Sequence, residues 1–163
     1  MDKPLPPLKP EFLAMMAKGV SLMLCSCDPA LTPSVMRAVG SRIEDEGRRI
    51  TAYLGRAQAA QLLADIASSG RLAAVFSQPS THLTVQFKSR RVRIRETRED
   101  DGPHLEAYLR SMEQEVAAVG FAPVCAHALL AHAPGDLVAV EFEPDEAYDQ
   151  TPGPQAGRQV SAH

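Results

Sequence analysis

Two arginines and the start of a helix are the groups in this chain whose spacing suggests chemistry, because together they would present positive charge to one anion. Arg37 lies in the run Pro33-Ser34-Val35-Met36-Arg37-Ala38-Val39, where alternation puts it on one strand face with Val35 and Val39. A guanidinium in apolar company needs a partner. Gly55-Arg56 opens a predicted helix whose first amides lack intrahelical acceptors and whose dipole end is positive, a geometry suited to phosphate. The same residues also read as a snorkelling strand arginine and an ordinary helix start. Phosphate-loop, dinucleotide and serine-elbow motifs are missing, Cys125-Ala126-His127 with His132 matches no zinc spacing, and Glu99-Asp100-Asp101 reads as a solvated acidic run.

The elements that must position these groups are legible as alternating and helical patterns. Six strands are predicted, over 20–27, 33–39, 49–53, 72–76, 82–94 and 136–143. Glu44-Asp45-Glu46-Gly47 makes a hairpin tip, so the strands over 33–39 and 49–53 are expected to be antiparallel neighbours. Helical spacing marks 11–18, 56–69 and a third segment opening at Asp101-Gly102-Pro103, with Gly19, Gly70 and Gly120 placed to end them. The charged face of the third helix reads as solvated. In the fifth strand Leu83, Val85 and Phe87 face one way and His82, Thr84, Gln86 and Lys88 the other. The fold class is therefore mainly β with flanking helices (α+β), and a curled sheet would bring that polar face near Arg37.

A chain of 163 residues suits one hydrophobic core, and a formal net charge of −3 does not mark a nucleic-acid or membrane-surface binder. The local exception is Arg90-Arg91-Val92-Arg93-Ile94-Arg95, a basic strand without interleaved aromatics, which reads as a solvated edge. Cys25 and Cys27 share a strand face and read as reduced packing thiols. No leader or membrane-length apolar run is seen, which points to a cytoplasmic protein. The chain divides into a proline-rich arm over 1–10, a domain over 11–145 and a proline- and glycine-rich tail over 146–163.

The ordered segments Gly19-Val20, Pro33 through Arg37, Arg49 through Tyr53, Ile66 through Phe76 and Thr81 through Lys88 resemble the pyridoxamine 5'-phosphate oxidase-like, FMN-binding split-barrel family. The resemblance implies an antiparallel six-stranded split β-barrel and a homodimer with flavins at the subunit interface. It assigns the FMN phosphate to Arg37 and to the helix start at Arg56, Ala57 and Gln58. It sets Ala38 and Val39 beside the ring, Thr51 and Ala52 along the ribityl chain, and Thr81, Thr84 and Gln86 at the ring from the partner subunit. The implied activity is an FMN-dependent oxidoreduction of a small molecule, with the polar turn residue His82 as the titratable group near the ring. Departures from the pattern matter as well. Ala57 and Gln58 stand where relatives carry further phosphate ligands, which implies weaker phosphate binding, and the absence of tryptophan and of a matching C-terminal segment argues against vitamin B6 oxidation. The alternatives are a non-catalytic flavin or haem carrier, with His82, His127 or His132 as axial ligand, and a dimer without cofactor. The tail is expected to lie over the partner's flavin.

Overall fold

Glycine ends two of the helices at the positions expected from sequence. Helix α1 (Pro10–Lys18) buries Phe12, Met15 and Met16 and stops at Gly19, whose φ of 88° returns its N–H to the Met16 carbonyl. Helix α2 (Ala60–Ser69) stops at Gly70, which is left-handed and donates to Ile66. The first strands are β1 (Ser21–Cys27), β2 (Pro33–Arg37), β3 (Gly40–Glu44), β4 (Arg49–Gly55) and β5 (Leu72–Ser77). They are followed by β6 (Thr84–Ser89), β7 (Arg91–Glu96), α3 (Gly102–Ala118), α4 (Val124–Leu129), β8 (Leu137–Glu143), β9 (Glu146–Asp149) and β10 (Arg158–Gln159). This computed structural model describes residues 7–160, so most of the predicted arm and the last three residues of the tail lie outside the described residues. Of the arm's described part, Leu8 is buried in the core rather than solvated.

The strands form two antiparallel sheets, one ordered β10-β9-β6-β5-β1-β2 and one ordered β3-β4-β8-β7. Their inner faces enclose the main core, built from Leu22, Leu24, Ile50, Leu54, Phe76, Phe87, Val140 and Phe142 among others. The α+β class and the split barrel are as expected, but there are ten strands among the described residues rather than six, and the barrel is open between two sheets. Two of the extra strands come from corners. At the first corner the Ala38 N–H still bonds to Leu22 of β1, whereas the Val39 N–H bonds to Tyr53 of β4, so the chain changes sheet between adjacent residues. Consequently β3, not β2, forms the hairpin with β4, and β2 pairs with β1. The expected pairing of 33–39 with 49–53 is corrected accordingly. Around Ser89-Arg90 the predicted fifth strand breaks in the same way. Its inward residues change from odd (Val85, Phe87) to even (Val92, Ile94), with Ser89 Oγ donating to Glu143 O at the corner.

The predicted tail is also partly sheet. Strand β9 pairs with β6 and β10 with β9, so the six-stranded sheet continues past residue 145. Only the proline- and glycine-rich stretch over 151–157 runs as turns. Helix α2 packs against β1 and β2 through residues of the main core. Helix α3 packs on β3 and, with α4, covers a second cluster of Val39, Tyr53, Tyr108, Met112, Leu130 and Ala139 on the outside of the four-stranded sheet. Among the described residues no helix is long and apolar enough to cross a membrane.

Candidate functional site

The strand registers place several of the sequence-selected residues on one face of the six-stranded sheet. Read across β2, β1, β5, β6 and β9, one row runs Arg37, Met23, Val75, Gln86, Tyr148. The row on one side runs Val35, Cys25, Ala73, Lys88, Glu146, and the other holds Ser21, Ser77 and Thr84. These residues point away from the core, alternating with the buried Leu22, Leu24, Ala74, Phe76, Val85 and Phe87. Among the described residues no helix lies across this face, and its middle is apolar: Met23, Cys25, Ala73 and Val75 are half-buried and Val35 is 55% exposed. The result is a flat apolar strip with a cation at one side and an amide at the other, three strand spacings or about 14 Å apart.

Arg37 donates from Nη1 to Ser21 Oγ at 2.7 Å and has no carboxylate partner among the described residues. Opposite it, Gln86 is oriented by Gln150, whose Nε2 donates to Gln86 Oε1 at 3.1 Å. Thr84 is held on both sides of its backbone, with its N–H on Thr151 Oγ1 and its carbonyl accepting from the Gln150 N–H. The start of the tail therefore lies along its own chain's β6. Thr81 caps the β5–β6 turn through Gln78 Oε1, and exposed His82 takes a left-handed φ of 62° in that turn. His127 is held by Glu113 and His132 by the Leu130 carbonyl, both on the helical side that covers the other sheet.

Glu115 fixes this turn, although its charge on α3 read as solvated. Its carboxylate is 1% exposed and accepts from Gln78 Nε2 at 2.8 Å, from the Ser80 N–H at 3.0 Å, and from Lys18 at the end of α1. Burial pushes its pKa up, but the Lys18, Ser80 and Gln78 hydrogen bonds outweigh burial and hold it down at about 2. A second buried carboxylate, Asp101, accepts from Tyr53 Oη at 2.6 Å, from both Arg95 terminal nitrogens at 2.7 and 3.0 Å, and from the Arg98 N–H at 2.8 Å. The Arg95 guanidinium holds Asp101 well below the usual carboxylate range against the cost of burial, with Tyr53 adding to the effect. Both acids read as solvated from sequence; Asp101, in the run Glu99-Asp100-Asp101, is instead buried among Arg95, Arg98 and the distant Tyr53, and Glu115 among the distant Lys18, Gln78 and Ser80.

The remaining selected residues are not gathered on that face. Ala38 and Ala52 are core side chains, and Val39 lies under α3, so the sheet change at the first corner separates Val39 from the face of Arg37. Thr51 is buried on the outside of the four-stranded sheet, in a row with Arg42, Glu141 and Arg93. The basic strand β7 is an edge, as expected, and its arginines are paired: Arg91 with Glu143 and Asp145, Arg95 with Glu141 and Asp101. Helix α2 begins at Ala60 rather than Arg56, leaving 56–59 as a turn. In that turn the Arg56 N–H bonds to the Asp136 carbonyl at 2.6 Å and the Ala57 N–H to Asp136 Oδ2 at 3.1 Å. One terminal nitrogen of the Arg56 guanidinium, Nη2, donates to both Glu96 carboxylate oxygens at 2.6 and 2.7 Å, and Gln58 folds back over Gly55. All three cysteines are free thiols, and burial pushes Cys25 up, in keeping with packing rather than nucleophilic use.

A phosphorylated flavin fits this arrangement at one end only. The apolar strip, unpaired Arg37 and the oriented Gln86 amide suit a planar ring with a hydrogen-bonding edge and an anionic arm. At the β4–α2 turn the Arg56 and Ala57 amides and one terminal nitrogen of the Arg56 guanidinium already have acceptors.

No protein-family model and no curated protein sequence matches the chain. Among solved structures it is similar to HupZ of Group A Streptococcus, with a TM-score of 0.56 and 13% identity over 92% of this chain and 99% of that one. A pyridoxamine 5'-phosphate oxidase-related, FMN-binding protein of Nostoc punctiforme matches with a TM-score of 0.53 and 9% identity over 94% of this chain and 89% of that one. HutZ, the haem storage protein of Vibrio cholerae, matches with a TM-score of 0.50 and 13% identity over 87% of this chain and 94% of that one. These likenesses agree with the two-sheet architecture, and the chain has the split-barrel fold of the pyridoxamine 5'-phosphate oxidase-like proteins.

Proposed function

We propose that the protein is a flavin-binding split-barrel protein and an oxidoreductase of a small molecule, with the ring lying on the open face of the six-stranded sheet between two copies of the chain. The observation that carries this reading is the register that aligns Arg37, Met23, Val75 and Gln86 in one uncovered row. Met23 and Val75 offer a floor for an aromatic plane, Arg37 a cation for the anionic arm, and Gln86 an amide for the ring's polar edge. A second copy would cover the exposed Val35 and exclude water from the ring. When bound, the flavin supplies the hydride and electron chemistry, and this chain's residues bind and orient it.

Titration of purified protein with FMN, followed by flavin fluorescence and by light scattering for subunit mass, tests the reading. Saturable quenching on a dimer is expected, and a monomer that ignores FMN would end the proposal. Arg37→Ala is expected to weaken FMN by ~1.5–3 kcal/mol, as for a charge-assisted contact, without changing the melting temperature. An unaltered FMN titration in that variant would place the anionic arm elsewhere.

Haem is the second reading, favoured by one feature: exposed His82 borders the same face with no side-chain partner among the described residues. A porphyrin would use the apolar strip for its plane, Arg37 for a propionate and His82 as axial ligand. A Soret band on adding haemin that disappears in His82→Ala supports haem; flavin bands alone support the first reading.

A further inference from the structure

The β4–α2 turn presents two successive amides, of Arg56 and Ala57, to a single residue, Asp136. One bonds to its carbonyl and the other to its carboxylate, at 2.6 and 3.1 Å. Converging successive N–H groups are what a turn offers to a bound oxyanion. Here the oxyanion is part of the protein. The cation beside those amides is treated the same way, since Glu96 takes both bonds from the Arg56 guanidinium at 2.6 and 2.7 Å. The Arg56 and Ala57 amides and one terminal nitrogen of the Arg56 guanidinium thus have a carboxylate or carbonyl of this chain in the phosphate's place. An incoming phosphate would have to displace both acids and remain beside their charges, which is a repulsive arrangement.

We propose that Asp136 and Glu96 are built-in anions that select against a phosphorylated arm at the β4–α2 turn, so that discrimination of FMN from unphosphorylated riboflavin falls to Arg37 on the open face. The proposal rests on the flavin reading for the identity of the cofactor, whereas the exclusion of phosphate from the turn stands on the hydrogen bonds alone. The pair between Arg56 and Glu96 is exposed, with side-chain exposures of 44% and 80%, so it adds little to stability and its removal leaves the fold intact. Asparagine at 136 keeps an acceptor for the Ala57 N–H and loses only the charge.

The test compares the wild type with the double variant Glu96→Gln, Asp136→Asn. Inorganic phosphate is titrated while the Ala57 amide is followed by nitrogen–proton correlation, and FMN and riboflavin are titrated separately by fluorescence. The expected result is a saturable Ala57 shift with phosphate in the variant only, and FMN affinity raised at least tenfold while riboflavin changes less than twofold. If neither protein binds either flavin but the variant's Ala57 alone responds to phosphate, the acid pair stands and the flavin reading fails. An Ala57 amide that responds equally in both proteins, or in neither, overturns the proposal. So does an equal gain for FMN and riboflavin.

Discussion

Replacing Asp101 with alanine is expected to destabilise the fold by ~3–5 kcal/mol, the cost of breaking a buried ion-pair network by removing one partner. Asp101 is 1% exposed, and the side chain of Arg95, which reaches it with two nitrogens, is only 7% exposed. Alanine removes four accepted hydrogen bonds at once and strands the Tyr53 hydroxyl as well. Arg95 keeps Glu141 and the Glu96 carbonyl, so the loss falls mainly on its Nη2 and on Tyr53. For a domain with ~5–15 kcal/mol of total stability that is a large share. Tyr53→Phe, which removes one donor and leaves Asp101 its remaining partners, is expected to cost only ~1 kcal/mol. Urea midpoints for the two variants check the pair, and an Asp101→Ala protein within 1 kcal/mol of wild type would show that the network contributes nothing net.

The location of this network explains which sheet face stays open. Asp101 immediately precedes α3 and ties its start to β4 through Tyr53 and to β7 through Arg95. From that anchor α3 lies over β3, with Leu105 against Gly40, where an added Cβ would come within 2.7 Å of the Leu105 side chain. Tyr108 and Ser111 then donate to the carbonyls of Val20 and Gly19 at 2.6 Å each, fixing α3 to the start of β1. The four-stranded sheet is thereby covered on its outside at Val39 and Tyr53. Among the described residues the outer face of the six-stranded sheet has no such cover, and it carries the row of Arg37 and Gln86.

Much of this architecture was legible locally and the rest was not, for physical reasons. Gly19, Gly70 and the Asp45–Gly47 tip are turns set by a few neighbouring residues, so they fall where sequence puts them. The sheet change at Ala38-Val39 leaves no local trace, because Val35, Arg37 and Val39 alternate without a break while their partners switch from β1 to β4. The corner at Ser89-Arg90 did leave one: inward parity moves from Val85 and Phe87 to Val92 and Ile94, and a single continuous strand cannot do that. Glu146-Ala147-Tyr148-Asp149 reads as polar, yet Ala147 and Asp149 are buried in a strand whose partner, β6, is far away in sequence. For the site, alternation correctly gave the polar face of β6 that shares a sheet face with Arg37. It could not give Asp136 or Glu96, because acids in loops and strand ends announce no partner. Charge type alone does not say whether an acid faces water or a buried donor.

Glu115→Gln is expected to cost ~2–3 kcal/mol at neutral pH and nothing at the acid end of the range, because only the ionised carboxylate suits its three donors. The folded carboxyl titrates at about 2, against 4.5 for the unconstrained group, so Glu115 contributes fully above pH 4.5 and progressively less as pH falls toward 2. The difference in urea midpoint between wild type and variant should therefore be constant from pH 8 to about 5 and close below that. A gap that persists unchanged at pH 3 would mean that packing, not charge, makes the difference. The variant also separates position from stability. The glutamine –NH2 opposes one of the donors Lys18, Gln78 and Ser80, and the turn over 77–82 then loses its tie to α3. Amide exchange at Ser80 should accelerate well beyond the global destabilisation, and flavin affinity should fall with it, since Thr84 and Gln86 leave that turn. Exchange at Ser80 that rises only in step with the rest of the sheet would leave Glu115 a stabilising residue with no part in positioning the open face.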